Sequence, residues 1–128
     1  MSKLRLAFTV PVLAALAFAG SAQAHTRLVS SLPAANATVT KPGRVVLTFS
    51  ERVVARFTGA EITMTSMPGM AAHQPMVISG FTSAMSAGGK TLTLMMRRAL
   101  SAGTYQVKWH AVGDDTHRME GTFAFTVK

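Results

Sequence analysis

The chain has 128 residues and no cysteine, which excludes disulfides, blue-copper centres, iron–sulfur clusters and thiolate–zinc sites and leaves packing as its source of stability. Lys and Arg number 13 against 5 Asp and Glu, a formal net charge of +8 with His neutral. The basic residues are scattered, with Arg97-Arg98 their only adjacent pair, so the charge reads as solubility and attraction to acidic partners or anionic lipid, not as a nucleic-acid-binding face.

Lys3 and Arg5 open the chain, Leu6 to Ala19 are mostly apolar, and Ala22-Gln23-Ala24 is a small-residue cleavage site, which together make residues 1–24 a secretory signal peptide. The apolar run is short for a membrane span of about 20 residues and stops at Gly20-Ser21, and no later stretch is long enough. The expected product is exported, does not span a membrane once processed, is monomeric, meets no nucleic acid, and forms a single domain over residues 25–128. Loss of Lys3 and Arg5 with the leader takes the net charge from +8 to +6. Cleavage after Ala24 gives His25 a free α-amino group beside its imidazole. Two such nitrogens can chelate one metal ion, and with an amino pKa near 8 the metal can displace the proton at neutral pH.

Thr26 to Ser30 is predicted as a first strand, followed by the turn-rich Ser31-Leu32-Pro33-Ala34-Ala35-Asn36. Val45 to Phe49 is a β-branched and aromatic run introduced by Pro42-Gly43 and closed by Ser50-Glu51. Val53 to Phe57 reads as an edge segment broken at Gly59, and Ala60 to Met64 as the strand that feeds a methionine-rich loop.

From Met64 to Met76 a soft donor stands at every third position: Met64, Met67, Met70, His73 and Met76. Thioethers are neutral, polarisable ligands suited to Cu(I), and imidazole is acceptable to copper in either oxidation state. Methionine is also a common core filler. Here Pro68 and Pro75 lack an amide N–H, Gly69 disrupts a helix further, and Ser66, Ala71 and Ala72 offer little apolar surface, so a ligand-bearing loop is expected instead of a packed helix.

Met76 to Phe81 follows as a strand, then a turn at Ser86-Ala87-Gly88-Gly89, then Lys90 to Met96, where Leu92 and Leu94 alternate with Thr91 and Thr93. Thr104 to Val112 places Tyr105, Val107, Trp109 and Ala111 on one face, with Gln106, Lys108 and a solvated His110 on the other. Gly113-Asp114-Asp115-Thr116 is a turn, and Thr122 to Val127 the final strand. If the intervening Asp115-Thr116-His117 is extended, Asp115 and His117 point the same way and can face one ligand. About seven or eight short strands at roughly ten-residue spacing indicate an all-β sandwich or barrel with Greek-key connections, whose loops gather at two separate ends.

Together His25, Leu32-Pro33-Ala34, Leu47-Thr48-Phe49-Ser50-Glu51, Met67-Pro68-Gly69-Met70, Gly103-Thr104-Tyr105, Trp109, Asp115-Thr116-His117 and Gly121 to Lys128 resemble the CopC-like periplasmic copper-binding proteins of copper resistance. The resemblance spans nearly all of residues 25–128. It implies a Greek-key β-barrel similar to cupredoxins, an immunoglobulin-like sandwich being the other arrangement of such strands, with Cu(II) at one end and, in methionine-rich members, Cu(I) at the other. It further implies that His25, through amino group and imidazole, and His117 are Cu(II) ligands, with Asp115 close to the metal and Glu51 at an acidic position near that site. Met64, Met67, Met70, His73 and Met76 fall on the soft-ligand pattern, although the gap between Met70 and His73 is one residue longer than in the family.

Three nitrogens in a tetragonal arrangement suit Cu(II), and a methionine site disfavours Zn(II) and Mg(II). The expected function is therefore a non-enzymatic periplasmic carrier or buffer of copper. Its expected partners are copper ions and an inner-membrane copper transporter or another periplasmic copper protein. Two other classes remain. An N-terminal His with a second His also resembles the copper centre of lytic polysaccharide monooxygenases, although the chain is short and its single Trp and single Tyr leave no flat aromatic surface. A structural sandwich whose methionine loop binds a partner is the third.

Overall fold

The computed structural model describes residues 25–70 and 74–128, so the leader expected at 1–24 and the ligand expected at His73 lie outside the described residues. Nine strands follow in order: β1 Leu28–Leu32, β2 Thr38–Val39, β3 Arg44–Phe49, β4 Gly59–Ser66, β5 Met76–Ile78, β6 Phe81–Met85, β7 Thr91–Met96, β8 Gly103–Val112 and β9 Arg118–Val127. They form a four-stranded sheet in the order β1-β3-β7-β6 and a five-stranded sheet in the order β2-β9-β8-β4-β5. The long-range pairings β3 with β7 and β4 with β8 are antiparallel, and the chain passes repeatedly from one sheet to the other. This is the expected all-β sandwich.

Period-two alternation builds the core between the sheets. Val45, Leu47 and Phe49 from β3, Leu92 and Leu94 from β7, Ile62 and Met64 from β4, Tyr105, Val107, Trp109 and Ala111 from β8, and Phe125 and Val127 from β9 are buried together. Tyr105 stacks on Phe125 at 5.5 Å between ring centroids, and its hydroxyl donates to the Ser101 carbonyl at 2.8 Å, so its polar tip is satisfied. Trp109 meets Phe49 edge-on at 5.6 Å and lies across Gly121, where an added Cβ would come within 2.6 Å of the indole. Gly121 is the cross-strand partner of Trp109, and its missing side chain is the room the ring occupies.

Several elements differ from expectation: β1 runs Leu28–Leu32 instead of Thr26 to Ser30, and the short strand β2 at Thr38–Val39 was not expected. Val53 alone bridges to Gly113, and Ala55–Phe57 is a 3-10 turn where an edge segment was expected. The Thr58 hydroxyl donates to the Val54 carbonyl at 2.9 Å and the Phe57 and Thr58 amides donate to the Val54 and Ala55 carbonyls, so local bonds replace a ladder. The stretch from Met76 to Phe81 is two strands in different sheets, parted at Ser79-Gly80, with the Phe81 amide turned back onto the Ser79 carbonyl. The last strand begins at Arg118, not Thr122, which brings the hairpin right up to the Asp115-Thr116-His117 turn.

The registers define two poles. Val112 pairs with Arg118 at one end of the β8–β9 hairpin, and Gly103 with Val127 at the other, where Ser66 also meets Thr104. The ten residues of β8 separate these ends by roughly 30 Å at about 3.3 Å per residue. The Asp115 turn closes the first pole, and the methionine loop hangs from the second.

Candidate metal centre

The β8–β9 turn holds itself closed through short backbone bonds. The Thr116 amide donates to the Gly113 carbonyl at 3.0 Å, the Gly113 amide to the His117 carbonyl at 3.3 Å, and Thr116 takes φ of 67°. The segment is thus not extended, as the alternation argument required. Asp115 and His117 are brought together by the turn and by the Asp115 carboxylate. One oxygen accepts the His117 backbone N–H at 3.1 Å, and the other lies 3.1 Å from His117 Nδ1. Those bonds, the backbone one foremost, hold the Asp115 carboxyl below its ordinary pKa, with the two nearby His residues adding to the effect.

A carboxylate at Nδ1 demands a proton there, which leaves Nε2 as the open lone pair of His117. Such a partner fixes both tautomer and ring direction for ligation.

His25 reaches this turn from the start of the other sheet. The Arg27 carbonyl accepts the Ser50 amide at 2.9 Å and the Arg27 amide donates to Ser50 Oγ at 3.1 Å, extending the β1–β3 pairing toward the N-terminus. Thr26 is then buried at 4% exposure against Gly113. A Cβ on Gly113 would collide with Thr26 Oγ1 and come within 3.0 Å of Asp115 Oδ1, so glycine is what lets the N-terminal segment cross the turn. Beyond Thr26, the His25 ring lies 5.7 Å from the His117 ring, centroid to centroid, tilted by 51°. One donor atom from each of His25, Asp115 and His117 lies within 4.8 Å of the others, and all three residues are exposed. Glu51, exposed just after β3, is not part of this trio. Thr26 and Gly113 are the contributors that sequence reasoning missed. Gly113 reads as an ordinary turn glycine, and its role shows only once the two chain segments cross.

The methionine pole is assembled differently. Met64 lies within β4, 3% exposed and part of the core, directly opposite Tyr105 on one side and Met76 on the other. Directly paired residues of antiparallel strands share a face, so the Met64 and Met76 side chains are neighbours. Met67 and Met70 bridge each other across Pro68-Gly69, with the Met70 amide donating to the Met67 carbonyl at 3.0 Å and Gly69 at φ of 76°. Proline followed by a positive-φ glycine is the signature of a type II turn. Met67 is half-buried against the core, while Met70 and Met76 are 54% and 49% exposed. The structure therefore gives two methionine pairs, one fixed by strand register and one by a turn, and only Met64 is wholly committed to packing.

Residues 28–128 match the CopC domain family. The chain belongs to that family. Copper resistance protein C of Escherichia coli is 44% identical over 108 residues, covering 84% of this chain and 85% of that protein. Copper resistance protein C of Xanthomonas campestris pv. juglandis is 43% identical over 123 residues, covering 96% and 95%. Among solved structures, PcoC from Escherichia coli, described as a methionine-rich copper resistance protein, superposes with a TM-score of 0.74 at 42% identity over 82% of this chain and 100% of PcoC. CopC from Methylosinus trichosporium OB3b superposes at 0.66 with 27% identity over 81% and 94%. The N-terminal residues that cross the β8–β9 turn, His25 and Thr26, lie just ahead of the matched region.

Proposed function

We propose that this chain is a periplasmic copper-resistance protein that carries or buffers copper, taking Cu(II) at the His25–His117 pole and Cu(I) at the methionine pole. Family membership and relatives named for copper resistance support the copper role. The observation that carries the site assignment is the convergence of His25, Asp115 and His117, from opposite ends of the chain, within 4.8 Å. His25 would supply its amino and imidazole nitrogens and His117 its Nε2, with water or the Asp115 carboxylate completing a tetragonal set. Asp115 has a second task, to hold the His117 ring through Nδ1. Met67, Met70 and Met76, with His73 between them in sequence, are the proposed Cu(I) donors, Met64 acting chiefly as their buried anchor. Glu51 is kept as an outlying acidic group of the Cu(II) pole.

The exposure of both donor sets suits uptake and hand-over of a metal cargo to another copper protein or a membrane transporter. Among the described residues no helix is long and apolar enough to cross a membrane. An oxidative enzyme acting on polysaccharide is less well supported, because the single Trp and single Tyr are core residues and build no substrate platform.

The test is a Cu(II) titration of protein beginning at His25 beside protein with one extra residue in front of it. The reading predicts that the extension abolishes tight Cu(II) binding and leaves Cu(I) binding unchanged. Equal Cu(II) affinity in both forms would remove the amino-terminal ligand from the account.

A further inference from the structure

The charges of the chain are sorted along the β8 axis. All five acidic residues lie toward the His25–His117 pole: Glu51 follows β3 at that end, Asp114 and Asp115 form the turn, Glu61 pairs with Lys108, and Glu120 pairs with His110. The methionine pole carries basic residues only. Arg44 opens β3 opposite Met95, Arg97 and Arg98 follow β7, Lys41 precedes the Pro42-Gly43 segment, and Lys128 follows β9. Backbone bonds hold these segments side by side: the Met96 amide donates to the Gly43 carbonyl, Leu100 to Pro42, Arg97 to Gly80 and Lys128 to Val39. All five cations are exposed. Among the described residues the ion pairs are His117–Asp115 and Arg118–Glu120, both away from this end, so the positive field here is not neutralised internally.

Amid these cations stand exposed apolar side chains: Met70 on the loop, Met76 and Val77 on the edge strand β5, and Met95 on β7. We infer that the methionine pole is the docking face for an acidic protein surface. Charge complementarity commits the partner to an anionic surface, and the apolar groups favour protein over lipid. Methionine and arginine are enriched at protein interfaces, and methionine adapts to varied partner shapes. Bilayer interfaces favour Trp and Tyr, both of which this chain buries at Trp109 and Tyr105. A cationic rim steers encounter and orients the complex, which would present this end, and not the opposite one, to the partner. The inference rests on charge placement and stands whether or not the loop binds copper.

The experiment uses copper-free protein, a fluorescent synthetic peptide rich in Asp and Met, and phosphatidylglycerol vesicles, at low and high salt. Two double variants make the same change in net charge: Arg97→Glu with Arg98→Glu at the methionine pole, and Arg56→Glu with Lys90→Glu at the other. The expected result is peptide binding that fades with salt, weakens about tenfold or more in the first variant and changes less than about twofold in the second. Amide shifts on peptide addition should cluster at Lys41, Arg97, Arg98 and Met76. Equal weakening by both variants would reduce the effect to net charge and overturn the assignment. Tighter binding to the vesicles than to the peptide would make the partner a membrane, and no peptide binding at low salt would remove the docking face altogether.

Discussion

At the hairpin pole every donor is held by something else. His117 is gripped by two bonds from one carboxylate, and His25 is placed by a buried threonine seated on a glycine. At the methionine pole Met64 is locked in the core, Met67 half so, and Met70 and Met76 project into solvent. The difference matches the chemistry proposed for each. Cu(II) has strong geometric preferences, which reward a preset arrangement of nitrogens, whereas Cu(I) with thioether ligands is governed by softness. On the proposed reading, a preset nitrogen site and a solvent-facing thioether site on one small sandwich, roughly 30 Å apart by strand length, would let oxidation state select the pole.

The largest break in this contrast should come from His117→Ala. Cu(II) affinity is expected to fall by more than about 100-fold, since losing even an outer partner costs about 10–100-fold, while Cu(I) affinity stays the same. Competition titrations with each ion check both halves. Asp115→Asn should weaken Cu(II) binding within that 10–100-fold range. Asparagine still accepts the His117 backbone N–H but cannot accept from Nδ1–H, so the fold is kept and the ring loses its guide. Unchanged affinity would mean that the carboxylate does not orient the ligand.

At the other pole, Met70→Leu with Met76→Leu should weaken Cu(I) about tenfold or more, close to 1.4 kcal/mol per factor of ten, with Cu(II) untouched. Met64→Leu sharpens the division of labour within that pole. As a volume-conserving change in a core side chain it should cost less than about 1.5 kcal/mol of stability by denaturant unfolding, against about 2–5 kcal/mol for Met64→Ala. The smallest effect involves none of the proposed ligands. Burial foremost, then Arg118, holds His110 below its usual 6.5, with Glu120 opposing. As pH falls from neutral, the unfolded chain binds this proton before the folded one, so His110 makes stability decline toward acid. His110→Gln should flatten the thermal-unfolding profile below 6.5 relative to the unsubstituted protein.

Much of this was visible in the residues. The alternation of Leu92 with Leu94, and of Tyr105, Val107 and Trp109, marks buried strands because period two follows directly from strand geometry. Spacing of three in the methionine segment is the basis for proposing ligands there, but it does not separate Met64 from the rest, because the strand β4 runs two residues past it and the core claims its side chain. The 3-10 turn at Ala55–Phe57 was hidden because β-branched and aromatic residues favour strands, while the choice was made by the Thr58 hydroxyl and local amides. Asp115 and His117 were paired for the wrong reason, extended alternation, when a positive-φ Thr116 and a carboxylate clamp bring them together. The contact between Thr26 and Gly113 depends on two segments that meet only in the fold.

The central claim, one hard and one soft copper pole, is tested most directly by X-ray absorption on the same protein loaded with one equivalent of Cu(II) and, after reduction, of Cu(I). The account predicts a nitrogen and oxygen shell with imidazole scattering for Cu(II), replaced by a sulfur-dominated shell for Cu(I). A single unchanged shell in both oxidation states would contradict it.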